Sequence, residues 1–183
     1  MTSTTAAQPS VREQLAQDIA RNPGQFTGVL ARRYNVTEAE ILRAHPAELC
    51  TELDPARCVD IIYALERLGT AMVICSNEGA ILECEGRFGG YSTTMGFVNV
   101  LTDTLDMHLT PGAYKAAFAL IKQPHTGGSN SHSIQFYGER GTALFKVFVL
   151  ETLARKSGED HAAQIAAWDS IRTEFALATE PQA

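Results

Sequence analysis

Between Thr70 and Leu150 the apolar residues stop recurring at helical spacing and begin to alternate. Residues 71–75, 80–85, 96–101, 105–109, 115–122, 131–137 and 142–150 read as strands. Their links are short and rich in turn formers: Asn77-Glu78-Gly79, Gly89-Gly90, Pro111-Gly112, Thr126 to Asn130, and Gly138 to Gly141. A parallel sheet needs crossovers of about a dozen residues or more. Links this short leave hairpins, and the block is expected to form a large antiparallel sheet.

The flanks have the other period. Residues 1–9 are small and polar and read as a disordered tail. Ser10-Val11-Arg12-Glu13 is a capping box that opens a helix with Val11, Leu15 and Ile19 on one stripe. A second helix is expected from about Thr27 to Arg33, and Thr37 to Glu40 is another capping box. From Cys58 to Leu68 the apolar residues again share one face, and Gly69 ends the run. After the strands, a helix starting near residue 157 places Ile165, Trp168, Ile171 and Phe175 toward the sheet. Helices, then strands, then a helix give an α+β chain. One domain is expected over residues 10–183, helical at 10–69, sheet at 70–150, with a C-terminal helix at 157–179.

Charge narrows the partners. Fifteen Lys and Arg against 21 Asp and Glu leave a net charge of −6, which disfavours gripping nucleic acid through bulk charge. Leu30 to Ala44 has the cadence of a helix-turn-helix, yet its second helix offers Glu38 and Glu40 beside Arg43. No apolar run approaches the length of a membrane span and the first residues do not read as a secretory signal, so a cytoplasmic protein is expected. Cys50, Cys58, Cys75 and Cys84 contain no CxxC pair and read as reduced thiols. Phosphate-binding, hydrolase and metalloprotease motifs are missing, so the case for an enzyme is weak.

Among the five histidines, His108 is the informative one. In Leu105-Asp106-Met107-His108-Leu109 the odd positions are apolar, so His108 shares the other face with Asp106. The neighbouring run Thr94-Met95-Gly96-Phe97-Val98 carries soft and aromatic groups. An imidazole beside a flat apolar surface suits an iron porphyrin; an exposed strand histidine is the plainer reading. His125 and His132 flank a polar loop and read as surface residues. With a turn centred on Glu78-Gly79, Cys75 pairs with Leu82, and Cys84 lies diagonally on the same face. Cys75 is then a packed thiol or a soft-metal ligand.

The ordered set GFVNV at 96–100, DMHL at 106–109, SHSIQFY at 131–137 and GTALFKVFVL at 141–150 resembles the HutX/ChuX-like cytoplasmic haem-carrier family of bacterial haem-utilisation systems. NVTEAEILRAHP and the helix with Trp168 fit the same layout. The resemblance implies a HemS-like antiparallel sheet flanked by helices, a homodimer, and reversible binding of b-type haem as cargo passed between donor and acceptor proteins. It implies His108 as the axial ligand. The family's second histidine falls where this chain has Cys75, which leaves the iron to His108 alone, to His108 with Cys75, or to His108 with water. An Arg-Asp pair that follows the K-[IV]-F segment in the family is not clearly reproduced in ETLARKSGED. Met95, Phe97 and Met107 are candidates to border the porphyrin, and Lys122 to meet a propionate. A haem-degrading enzyme, a DNA-binding regulator and a dimeric module without its ligand are the alternatives.

Overall fold

The structure, a computed structural model, describes residues 10–22, 24–123 and 129–178. The expected tail at 1–9, His125 and the Gly127-Gly128 turn lie outside them, as does the last residue of the expected closing helix.

Both capping boxes form. Ser10 and Glu13 exchange hydrogen bonds at the start of α1 (Val11–Arg21), and Thr37 and Glu40 do so at α3 (Glu38–Arg43). Between them, α2 (Thr27–Tyr34) ends on Asn35 in the left-handed region. Leu15, Ile19, Leu30, Ala31 and Ile41 bury one another, so the three helices form a small cluster of their own. The helix-turn-helix cadence is therefore real. Its second helix, however, spends Arg43 on a paired contact with Glu52 and buries Ala39 and Leu42 against the sheet.

The first third is not wholly helical, as its periodicity had suggested. After α3 comes β1 (Cys50–Leu53), then α4 (Cys58–Ala64), which tightens into a 3-10 turn over Leu65–Leu68. The remaining strands are β2 (Thr70–Ser76), β3 (Ile81–Arg87), β4 (Ser92–Thr94), β5 (Phe97–Leu101), β6 (Asp106–Leu109), β7 (Ala116–Lys122), β8 (Ser131–Tyr137) and β9 (Ala143–Val149). They build two antiparallel sheets. The larger has the order β1-β7-β8-β9-β2-β3, and the smaller β4-β5-β6. The chain leaves one for the other at Gly89-Gly90. Gly90 has φ +55°, and a Cβ there would lie 2.0 Å from the Leu101 carbonyl oxygen, so only glycine fits.

Instead of one closing helix there are two. α5 (Glu151–Ser157) ends on Gly158 in the left-handed region, and α6 (His161–Glu174) begins with Asp160 accepting from the Ala162 amide. Trp168 and Ile171 of α6 and Phe175, which caps it, are buried, as their spacing predicts. They share the main core with Ile61, Ile62 and Leu65, with Ala117, Ile134, Phe145 and Val147 of the large sheet, and with Val98, Val100 and Leu109 of the small one. Helices α4 and α6 and the small sheet thus lie on one face of the large sheet. On the opposite face, α3 packs over Cys50, Phe118, Leu120 and Tyr137. Residues 175–177 run back along β1 through the Asp54–Phe175 and Leu177–Glu52 backbone bonds, covering that edge.

Candidate functional site

Where the small sheet meets the β2–β3 hairpin there is a cleft of about 400 Å³, within the ordinary range for small-molecule sites. Val73 and Cys75 of β2, Leu82 and Cys84 of β3, and Phe145 of β9 form one side. Asp106 through Leu109 of β6 and the following segment to Tyr114 form the other. The register explains the first wall. Cys75 pairs with Leu82 and Val73 with Cys84, so both thiols lie on one face of the hairpin, as the turn predicts.

The second wall carries the imidazole. Leu105 and Leu109 are buried while Asp106 and His108 are exposed, the alternation expected of this strand. β5 pairs with β6 so that Asn99 stands directly opposite His108. Asn99 donates from Nδ2 to the Ser92 hydroxyl at 3.2 Å, which turns Oδ1 toward His108 Nδ1 at 2.7 Å. That arrangement assigns the ring proton to Nδ1, and in the neutral ring Nε2 keeps a lone pair. Holding the remote nitrogen in this way is how proteins orient a metal-ligating histidine. Asp106 Oδ1 lies 3.6 Å from Nε2. The Phe97 ring sits edge-on to the imidazole, with centroids 6.2 Å apart.

Of the residues singled out by sequence, the fold brings His108, Cys75 and Met107 to this cleft and puts Phe97 beside His108. Met95 it does not. Thr94 pairs with Phe97, and Met95 (φ 55°) and Gly96 (φ 83°) form the two-residue tip of the hairpin. The Met95 side chain is 91% exposed there. Lys122 is also elsewhere. Along β7, Ala117, Ala119 and Ile121 face the main core, whereas Phe118 and Leu120 face α3. Lys122 shares the latter side, with its ammonium 4.8 Å from the Phe26 ring centroid. Sequence reasoning passed over Asn99, Cys84 as a cleft residue, and Tyr114. For Cys84 the diagonal register was a usable signal; for Asn99 the pairing across residues 102–105 was needed.

The electrostatics separate the two candidate ligands. Burial pushes the Cys75 thiol above its ordinary range, and the neighbouring Cys84 adds to the shift. Cys75 thus stays protonated near neutrality and must lose a proton to ligate, which neutral His108 does not. The walls suit a flat apolar ring, and no Lys or Arg lines the cleft among the described residues. A second hollow of about 450 Å³, between α4 and α6, is lined by charges that already pair, Arg57 with Asp60 and Arg67 with Glu174.

Comparison with known proteins fits this architecture. The chain is 28% identical over 176 residues to the hemin transport protein HemS of Yersinia enterocolitica, covering 94% of this chain and 47% of that one. It is 26% identical over 144 residues to the intracellular heme transport protein HutX of Vibrio cholerae, covering 76% and 72%. The crystal structure of holo-PhuS, a heme-binding protein from Pseudomonas aeruginosa, superposes with a TM-score of 0.73 at 23% identity, covering 97% of this chain and 51% of that one. The chain spans about half the length of the first curated relatives it matches. Among the described residues no helix is long and apolar enough to cross a membrane. Residues 35–175 match the family described as the haemin-degrading HemS.ChuX domain, and the chain belongs to that family.

Proposed function

We propose that the chain binds haem reversibly in the β2–β3/β6 cleft and carries it inside the cell, with His108 Nε2 as the axial ligand to iron. One observation carries the reading: a histidine oriented through Nδ1 by Asn99 stands at the mouth of an apolar cleft. Haem binding and transport are the properties for which HemS, HutX and PhuS are named. Val73, Leu82 and Leu109 supply apolar walls, and Met107 and Phe97 border the ring. Cys75 takes the sixth position when deprotonated and otherwise leaves it to water. Lys122, on the other face of the sheet, takes no part. A single neutral ligand in an open cleft releases its cargo more readily than a closed six-coordinate pocket, which suits a carrier that receives haem from one protein and passes it to another. A homodimer, as the resemblance implies, is the assembly that goes with this reading.

Titration of the chain with haemin, followed at the Soret band, tests this. Saturation at about one haem per chain, weakened in His108→Ala, is the expected result; spectra equal to free haemin overturn it. Haemin degradation is the second reading, favoured by the family's description. It requires loss of the Soret band and release of iron when reductant and oxygen are added.

A further inference from the structure

The cleft presents more thiol than haem iron can use. His108 fills one axial position and Cys75 is available for the other, which leaves Cys84 over. Both cysteines are partly exposed, unlike buried Cys50 and Cys58. They lie diagonally across β2 and β3. Diagonal neighbours on a sheet have Cβ atoms up to about 7 Å apart, whereas a disulfide brings them to about 3.8 Å. The pair is therefore too wide for a disulfide without backbone movement. One ion with metal–thiolate bonds of about 2.3 Å on either side bridges such a gap.

The type of ion follows from the surroundings. Among the described residues no three His, Cys, Asp or Glu side chains converge at metal-binding distance. That disfavours a four-coordinate zinc site and leaves a soft ion content with few ligands. Thiolate and thioether donors select Cu(I), and the Met107 thioether lines the same cleft. We propose that Cys75 and Cys84, assisted by Met107, form a Cu(I) site in the cleft, a binding function distinct from haem carriage. Both thiols give up their protons as the two Cu–S bonds form, so uptake releases two protons per copper and strengthens as pH rises. Copper and haem share Cys75 and the space around it, and each excludes the other.

The test uses the full chain under anaerobic conditions, with Cu(I) presented as its bicinchoninate complex. The chain is expected to withdraw one copper and bleach the complex. Losing a group that merely orients a ligand costs 10–100-fold in metal affinity; losing the ligand, in Cys75→Ser or Cys84→Ser, should cost more than about 100-fold. Cys50→Ser should bind as the parent does. In the unsubstituted chain, one equivalent of Cu(I) should shield Cys75 and Cys84 from N-ethylmaleimide, mapped by mass spectrometry. Copper left with the chelator, Cys84→Ser binding like the parent, or unchanged labelling of both thiols overturns the proposal. The shielding measurement needs no variant and decides the matter even where a substitution unfolds the chain. Haem binding is read separately at the Soret band of the unsubstituted chain, so failure of the copper site and failure of the haem reading are distinguished.

Discussion

Replacing Asn99 by Ala removes the acceptor for His108 Nδ1–H, together with the bond that Asn99 donates to the Ser92 hydroxyl. In the parent the 2.7 Å contact fixes the proton on Nδ1 and leaves Nε2 for iron. Without it, Asp106 at 3.6 Å becomes the better partner and draws a proton to Nε2, the nitrogen that should bind. One neutral hydrogen bond contributes about 1 kcal/mol, and orienting partners of metal ligands are worth 10–100-fold in affinity. The imidazole is largely exposed, which places the loss at the lower end, near tenfold or about 1.4 kcal/mol. Haemin titration of the parent, Asn99→Ala, Asn99→Asp and His108→Ala measures it. Asn99→Asp keeps an acceptor opposite Nδ1 and should bind at least as well as the parent. If Asn99→Ala binds like the parent, or Asn99→Asp is as weak as Asn99→Ala, the orientation argument fails.

Three further outcomes follow from the packing and the titrating groups. Gly90→Ala forces a Cβ against the Leu101 carbonyl and should cost at least ~3 kcal/mol, seen as a fall in Tm; an unchanged Tm refutes the close approach. Tyr137 donates to buried Gln135 Oε1 at 2.7 Å, so Tyr137→Phe strands a buried acceptor and should cost about 1–3 kcal/mol by urea unfolding. Burial lowers the pKa of both His45 and His132, the latter further through His161. The unfolded chain then takes up these protons first, so stability falls as pH drops below about 6.5. Melting at pH 7.5 and 5.5 should show a lower Tm in acid and a smaller drop in His45→Gln; a Tm that rises in acid contradicts the sign.

Alternation and turn residues were enough to find most of the strands, because each is longer than four residues or bounded by Gly, Pro or Asn. β1 escaped since Cys50-Thr51-Glu52-Leu53 is only four residues long and is made a strand by β7, distant in sequence. β4 is three polar residues, and the expected strand over 96–101 takes in Gly96, which belongs to the hairpin tip. α5 follows β9 without a turn former, so nothing local separates it from the strand. The same limit applies at the site. Cys75 opposite Leu82 follows from a short hairpin, and the facing of His108 from simple alternation. Which side Lys122 takes relative to Cys75 depends on the order β7-β8-β9-β2, and periodicity fixes the strands but not their neighbours.

The large sheet has two edges, and they are treated differently. β1 is overlaid by the chain after α6, while among the described residues β3 pairs with β2 alone. Its far end is tied down by Arg87–Glu159 and Lys156–Glu85; Ile81 and Leu82, at the turn end, are exposed. A strand held on one side and pinned at one end frays from the other, at a lower cost than unfolding the whole chain. Leu82 and Cys84 ride on that strand, so fraying opens one wall of the cleft while β2 stays in place. The residence time of whatever occupies the cleft then depends on how fast β3 peels back as well as on the metal–ligand bond. Amide hydrogen exchange should find the Ile81 end of β3 faster than β2 in the empty chain and slowed when the cleft is filled.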